Sequence, residues 1–329
     1  MKEFSIDRNT EGQRIDRYLS DELEDRSRSY IQKIMKEGYV KVNQKPVKSN
    51  YRLSFGDSVE VTLPEAKEPD IVPENIPLDI LYEDQDLLVV NKPAGMVTHP
   101  SGSHYQDSIS NLLAAYFREK NETTRIRSIG RLDKETSGIL LFARNQVAAA
   151  RLQKQREEGK LQKKYLALAE GDLSEANDSV FWKEIAIPLA PDPENSMKMT
   201  ISPDGLLPGS RNAVTYYKNI KSFGNVTLVE LQLETGRTHQ IRVHMAGIGH
   251  PLLGDTMYNP RVCLKMSNSK EKKNTEGRIN NRNDCFKRAA LHAWKLTFCH
   301  PFTDEIITLE APLPDDFCRF LNANEEEKT

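Results

Sequence analysis

Ile129–Asn145, IGRLDKETSGILLFARN, decides how the rest of the chain is read. Arg131, Asp133, Lys134, Glu135, Thr136 and Ser137 are polar or charged, and after Gly138 comes the apolar run Ile139, Leu140, Leu141, Phe142, Ala143. A short, bulky, partly branched run predicts an interior strand. The polar half is then a loop that brings Arg131 and Asp133 to the rim of that strand, where a rigid scaffold commonly carries chemistry. Taken alone, a charged loop ahead of a strand is also ordinary structure.

Outward toward the C-terminus, the pattern predicts a helix over Val147–Glu158, stopped by Gly159, and a strand over Tyr165–Ala169, with Trp182–Ile187 as another. Pro188–Gly209 reads as a long loop, Ala213–Tyr217 and Val226–Leu233 as paired strands, and Arg237–Ala246 as a helix. Leu296–Phe298 and Ile306–Leu309 close the series as strands. Toward the N-terminus, Ser108–Phe117 is a predicted helix, and Ile80–Tyr82 with Leu87–Val90 a hairpin. Strands that alternate irregularly with few helices imply an α+β fold, not a doubly wound one.

Residues 1–64 separate as a small α/β module. Ile15, Tyr18, Leu19 and Leu23 recur at helical spacing, as do Tyr30, Ile31, Ile34 and Met35, and short strand patterns follow Gly38. Twelve Lys/Arg nearly balance eleven Asp/Glu there, yet Arg14, Arg17, Arg26, Arg28, Lys33 and Lys36 lie on or beside the two helices. Such a set can turn a basic face toward phosphates. Residues 65–77 are proline-rich and acidic, hence a linker, and 78–329 form the larger domain. Within it, 261–288 holds nine Lys/Arg against three acids and almost no large apolar groups, and reads as a basic insertion, either a disordered surface segment or a second phosphate contact.

The 329 residues carry a net charge of −2, which argues against a nonspecific nucleic-acid coat while leaving room for local basic surfaces. No run is long and apolar enough for a membrane span, and the N-terminus lacks a signal core. Cys263, Cys285, Cys299 and Cys318 have no paired metal-ligand spacing, so a reducing cytoplasm is the expected location. Phosphate-cradling glycine loops and a nucleophile elbow are missing. His239 and His244 are five apart, the wrong spacing for two imidazoles on one helical face, so no metal or cofactor is expected. Those histidines, with His99, His104 and His292, have hydrogen-bonded structural roles as their default.

Five stretches in order resemble the motifs of the RluA-type pseudouridine synthases. They are Lys92-Pro93-Ala94-Gly95 with His99-Pro100; IGRLDKETSGILLFARN; Lys164-Tyr165-Leu166-Ala167; Leu233–Tyr258; and Leu291-His292-Ala293 through Pro301. Residues 12–63 resemble the RNA-binding module named after ribosomal protein S-four. The resemblance implies a mixed, largely antiparallel sheet and an enzyme that isomerises uridines in structured RNA, more readily large-subunit ribosomal RNA or pre-ribosomal particles than transfer RNA. A monomer is expected. Asp133 is the implied nucleophile, Arg242 its ion-pair partner, and Tyr165 the ring and hydroxyl beside the base. Arg131, Lys92, His99, Thr136, Arg237 and His239 are the implied substrate contacts, with Arg28 and Lys33 on RNA backbone. Attack at the ribose anomeric carbon or at uracil carbon 6 both suit one small anion. A noncatalytic RNA-binding or ribosome-assembly protein on the same fold, or a glycoside hydrolase or lyase acting on nucleosides, would be the rivals. One departure stands out: the family commonly has His before Arg-Leu-Asp, and this chain has Gly130.

Overall fold

The apolar run around Leu140 lies in the middle of a sheet. In the computed structural model the chain divides into two units, Met1–Ile71 and Val72–Thr329. The structure describes residues 2–8, 10–23, 28–62, 77–100, 108–122, 126–173, 181–260, 262 and 286–325. The linker stretch, apart from Pro77, and most of the basic insertion lie outside these residues, as does His104.

The smaller unit contains β1 (Lys2–Ser5), α1 (Ile15–Glu22), α2 (Arg28–Lys36), β2 (Val40–Val42), β3 (Lys45–Pro46) and β4 (Ser58–Val61). Its strands pair in the order β1-β4-β2-β3. Ile15, Leu19, Ile31 and Ile34 from the helices meet Val40, Val59 and Val61 from the sheet in one apolar core. The leading strand β1 was not anticipated, because two of its four residues are charged.

The larger unit begins with β5 (Ile80–Glu83), β6 (Leu87–Lys92), α3 (Ile109–Glu119), β7 (Arg127–Ser128), β8 (Ser137–Ala143) and α4 (Gln146–Glu157). It continues through β9 (Gln162–Glu170), β10 (Lys183–Ala186), β11 (Leu189–Pro191), β12 (Met199–Ile201), β13 (Val214–Ser222), β14 (Val226–Leu233) and α5 (Gln240–Gly247). β15 (Leu291–Cys299), β16 (Ile306–Glu310) and α6 (Asp315–Glu325) complete it. The sheet runs β10-β13-β14-β9-β15-β8-β6-β5, with β16 against β15 and β7 against β8. Its described pairs are antiparallel except β15 on β8. The α+β expectation with a mixed sheet therefore holds.

All seven residues of β8 are buried. Side chains alternate across a strand, and Leu140 and Phe142 join Leu88, Val90 and the α3 residues Leu113 and Phe117 in one core. Ile139, Leu141 and Ala143 join Leu87, Val89 and the α4 residues Ala148 and Leu152 in another. With a helix on each face, the strand must be apolar on both sides, which explains its unbroken run. Gly138 sits at the parallel crossing opposite Ala293. Its φ is +110°, and a Cβ there would stand 2.1 Å from the Ala293 carbonyl oxygen, so only glycine fits.

Two expectations need correction, and one left open is answered in part. The loop over 188–209 contains the β11–β12 hairpin, in register from Leu189 opposite Ile201 to Pro191 opposite Met199. The helix predicted from Arg237 starts at Gln240, because His239 takes a left-handed φ of 55° at its N-cap. The insertion 261–288 ends in ordered structure: Phe286 is buried against Phe317 and Phe320 of α6, and Arg288 forks onto Asp316 at 2.7 and 3.0 Å. The helix α6 that receives them was not anticipated.

Candidate active site

Asp133 lies in the loop between β7 and β8, and that loop is held by its backbone. The Thr98 hydroxyl donates to Leu132 O (3.0 Å) and accepts from Leu132 N (3.2 Å). Gly95 N donates to Lys134 O at 2.8 Å, and Arg288 Nη1 to Glu135 O at 3.1 Å. A turn bond from Thr136 N to Asp133 O closes the loop. The Asp133 side chain, half-buried, accepts no hydrogen bond and makes no ion pair among the described residues.

β15 unites the two halves of the site. Ala293 is in register with Gly138 of β8 on one side and with Tyr165 of β9 on the other. That shared register brings the Asp133 loop and Tyr165 to one cleft of about 900 Å³. Its wall includes Gly130, Arg131, Asp133, Thr136, Arg156, Lys163, Tyr165, Arg237, His239 and Arg242. The charge of Asp133 is felt by Tyr165, His239, Arg242 and Tyr258. Tyr165 is 8% exposed, and burial, followed by the Asp133 charge, raises its phenol above the usual range. The hydroxyl is thus neutral at ordinary pH.

Arg242 departs from expectation. Its fork binds Asp255 and not Asp133, with Nε to Oδ2 at 2.7 Å and Nη2 to Oδ1 at 2.8 Å. Asp255 is fully buried in a turn that also directs Met257 N (2.9 Å) and Tyr258 N (3.0 Å) at Oδ1. A buried carboxylate already oriented by two backbone donors matches the guanidinium plane better than a half-buried one with no such donors. Burial pushes the Asp255 carboxyl up, but the bonds and charge of Arg242 outweigh this and hold it below the usual carboxylate range. Arg242 Nη1 is left without a hydrogen bond among the described residues.

The implied substrate contacts divide. Arg131, Thr136, Arg237 and His239 line the cleft; Arg131 is exposed and has no partner among the described residues. Gln240 Oε1 accepts from Arg237 N (3.0 Å) and from Thr235 Oγ1 (2.9 Å), fixing the loop ahead of α5. His239 Nδ1 pairs with the Tyr258 hydroxyl at 2.7 Å. Lys92 and His99 do not line the cleft. Lys92 is fully buried and donates to Met96 O (2.7 Å), Pro93 O (2.9 Å) and Lys134 O (3.2 Å), so it braces the Asp133 loop from behind. Burial drives its ammonium down to about 7, against the opposing charge of Asp133. His99 spans Ser128 Oγ (2.6 Å) and Ser110 Oγ (2.7 Å). In the smaller unit Lys33 is exposed, and the Arg28 side chain lies outside the described groups.

Sequence reading missed Asp255, Arg156 and Lys163. Asp255 falls inside the motif Leu233–Tyr258, where an acid ahead of a turn was the available signal. Arg156 sat unremarked in a charged helix. His244 and His292 have structural partners, Thr215 Oγ1 (2.8 Å) and Ser137 Oγ (2.9 Å). Asp84, Asp86 and His300 bring potential metal-ligand atoms within 4.8 Å of one another. Those groups are already engaged, however, Asp84 with His300 (3.0 Å) and Tyr82 (2.7 Å), Asp86 with Asn145 (2.6 Å).

Comparison with known proteins fits this geometry. The RNA pseudouridylate synthase profile matches residues 86–247, and the S4 domain profile residues 13–59. An uncharacterized RNA pseudouridine synthase of Bacillus subtilis, YlyB, is 40% identical over 94% of this chain and 93% of its own length. The chain belongs to the RNA pseudouridylate synthase family. This synthase is also 35% identical to the ribosomal large subunit pseudouridine synthase D of Pasteurella multocida, over 95% of this chain and 91% of that one. The solved structure of human RNA pseudouridylate synthase domain containing 4 superposes with a TM-score of 0.58 at 26% identity, covering 75% of the synthase and 93% of that chain. The synthase is thus an isomerase acting on RNA and carries an S4 module. No described helix is long and apolar enough to cross a membrane.

Proposed function

We propose that this synthase converts specific uridines of large-subunit ribosomal RNA to pseudouridine, with Asp133 as the nucleophile. The observation that carries the reading is the unpaired Asp133 carboxylate in a cleft with Tyr165 and Arg242. A backbone-anchored loop holds the anion in place while both its oxygens stay available. The ribosomal target rests on relatives of that name in Pasteurella multocida and Neisseria meningitidis, 35–38% identical over nearly the whole chain. Such a substrate is met in the cytoplasm. A monomer is the working unit of this reading.

The uridine leaves its stack to reach the cleft, and Arg131, exposed and unpaired, holds the strand it leaves. Asp133 attacks the ribose anomeric carbon or uracil carbon 6, and the C1′–N1 bond breaks. The uracil turns, carbon 5 bonds to C1′, the carbon-5 proton departs, N1 gains a proton, and the carboxylate is released. No electron is gained or lost. Arg242 lends positive charge near Asp133, its position fixed by Asp255. Tyr165, held neutral, stacks on the base and relays the carbon-5 proton through its hydroxyl. Thr136, Arg237 and His239 contact the nucleotide, while Arg28 and Lys33 of the S4 module bind RNA backbone.

Asp133→Asn is the test. Pseudouridine formed in ribosomal RNA by purified protein should fall at least about 1,000-fold, the scale of losing an essential nucleophile. Urea unfolding and RNA affinity should stay at wild-type levels. Activity within tenfold of wild type would remove Asp133 from the chemistry, and conversion of transfer RNA alone would overturn the ribosomal assignment.

A further inference from the structure

Arg156 stands in the last turn of α4, on the wall of the cleft. Its guanidinium occupies a gap left by two glycines from other parts of the chain. A Cβ on Gly130 would lie 3.8 Å from Nη1, and a Cβ on Gly236 only 2.9 Å from Nη2. Gly130, which precedes the Asp133 loop, has a φ of +85° and would bring a Cβ to ordinary contact with the guanidinium, whereas a Cβ on Gly236, after β14, would crowd it. A longer side chain at 130, such as the histidine common in the family, would compete for the same space.

Arg156 makes no hydrogen bond or ion pair among the described residues. The nearby acids are occupied elsewhere: Glu158 by Lys160 at 2.7 Å, Glu157 by Gln153 at 3.0 Å, and Glu234 by the Tyr216 hydroxyl at 2.8 Å. Lys163, half-buried on the same wall, is likewise unpaired. Burial, then the charge of Arg156, pushes its ammonium down to about 8. Two neighbouring cations without a carboxylate between them form a site that an incoming anion relieves, and a guanidinium fork suits phosphate oxygens.

We propose that Arg156, set in the gap between Gly130 and Gly236 with Lys163 beside it, binds a backbone phosphate of the RNA strand that delivers the target uridine. The inference rests on this cleft receiving RNA, and not on Asp133 being the nucleophile. Arg156 is a binding residue that fixes the approach of the strand, in the space where a side chain at 130 would otherwise act.

The test begins with an RNA transcript, ribosomal or transfer, that the wild-type protein converts. Conversion of transfer RNA alone would overturn the ribosomal reading yet still supply the probe. Affinity for that transcript is then measured at several salt concentrations for Arg156→Ala, Arg156→Lys, Gly236→Ala and the double variant Arg156→Ala with Gly236→Ala, all in the Asp133→Asn background. Arg156→Ala should weaken binding roughly tenfold, the scale of one charged hydrogen bond. The salt-dependence slope should shrink by about 0.7–0.9, the value for one phosphate. Arg156→Lys should keep the slope and regain part of the affinity. Gly236→Ala, whose methyl displaces only the far end of a flexible side chain, should reproduce the loss with the arginine still present. The double variant should then bind no worse than Arg156→Ala alone. With native Asp133 restored, single-turnover rates should fall less at saturating RNA than at low RNA. Affinity within twofold of wild type with an unchanged slope for Arg156→Ala would overturn the proposal, as would fully additive losses in the double variant. Should Gly236→Ala fail to fold, the alanine and lysine variants of Arg156 decide the matter.

Discussion

Asp133 and Asp255 both act on Arg242, one through its charge alone and the other through bonds as well. Asp255 is fully buried and accepts two bonds from the guanidinium and two from backbone amides. Asp133 is half-buried, acts on Arg242 only through its charge, and is held by the carbonyls and amides around it. One aspartate has its bonding capacity filled by the protein, and the other has been kept empty. Under the proposed role of Asp133, a carboxylate that attacks carbon cannot also anchor the neighbouring arginine, and the two tasks fall to two residues.

The largest effect expected from breaking that division is on stability. Asp255→Ala leaves the Arg242 charge buried without a partner, which costs about 3–5 kcal/mol in comparable pairs. Asp133→Asn should change stability by no more than about 0.5 kcal/mol, because no bond is lost. Urea midpoints of the two variants make the comparison, and equal midpoints would undo it. The acid limb gives the same contrast. The folded Asp255 carboxyl is held below its unfolded value of about 3.9, so its contribution is complete above that pH. It is lost as pH falls through the folded value, since the unfolded chain takes up the proton first. The gap between wild type and Asp255→Asn should therefore narrow below about pH 4.

A smaller effect is expected from Arg242→Lys. Lysine retains the charge but cannot make both bonds to Asp255, so the variant should lose about 1.5–3 kcal/mol, the worth of one charged hydrogen bond. Single-turnover rates should fall alongside. A lysine variant with wild-type rate and stability would show that the fork geometry is dispensable.

Lys92 bears on how Asp133 is braced, and its effect is read as a slope against pH. Its folded value of about 7 lies below the unfolded value of about 10.4. Between them the unfolded chain binds more protons, so stability should rise with pH across that window, by at most about 1.4 kcal/mol per pH unit. Lys92→Met should remove this rise. An identical pH dependence in both proteins would mean that Lys92 remains fully protonated in place.

These residues also mark how far sequence reading reached. The strand through Leu140 was legible because burial on both faces leaves an unbroken apolar run, and Tyr165 and Asp133 were legible from their motifs. Arg242 was placed at the site but given the wrong partner, since a pairing across thirteen residues depends on a turn that periodicity does not report. Lys92 was taken for a substrate contact because a lysine's charge is visible in sequence, while its complete burial behind three carbonyls is not. Helix α6 escaped notice because few of its eleven residues are large and apolar, and Phe317 and Phe320 pack with residues distant in sequence, among them Leu168, Val226 and Phe286. Across β11–β12, Pro188 and Pro191 suggested a loop where a short hairpin forms.

The placement of β15 has a consequence for how the protein is made. This late strand lies between β8 and β9, and the contact from Ser137 to His292 spans 155 residues of chain. During synthesis the Asp133 loop and the Tyr165 strand both leave the ribosome well before the strand that joins them. At 5–20 residues per second, the delay from Ser137 to His292 is roughly 8–30 s. Until β15 inserts, the two halves of the cleft have no shared register, so the cleft is assembled only after this late strand has been made.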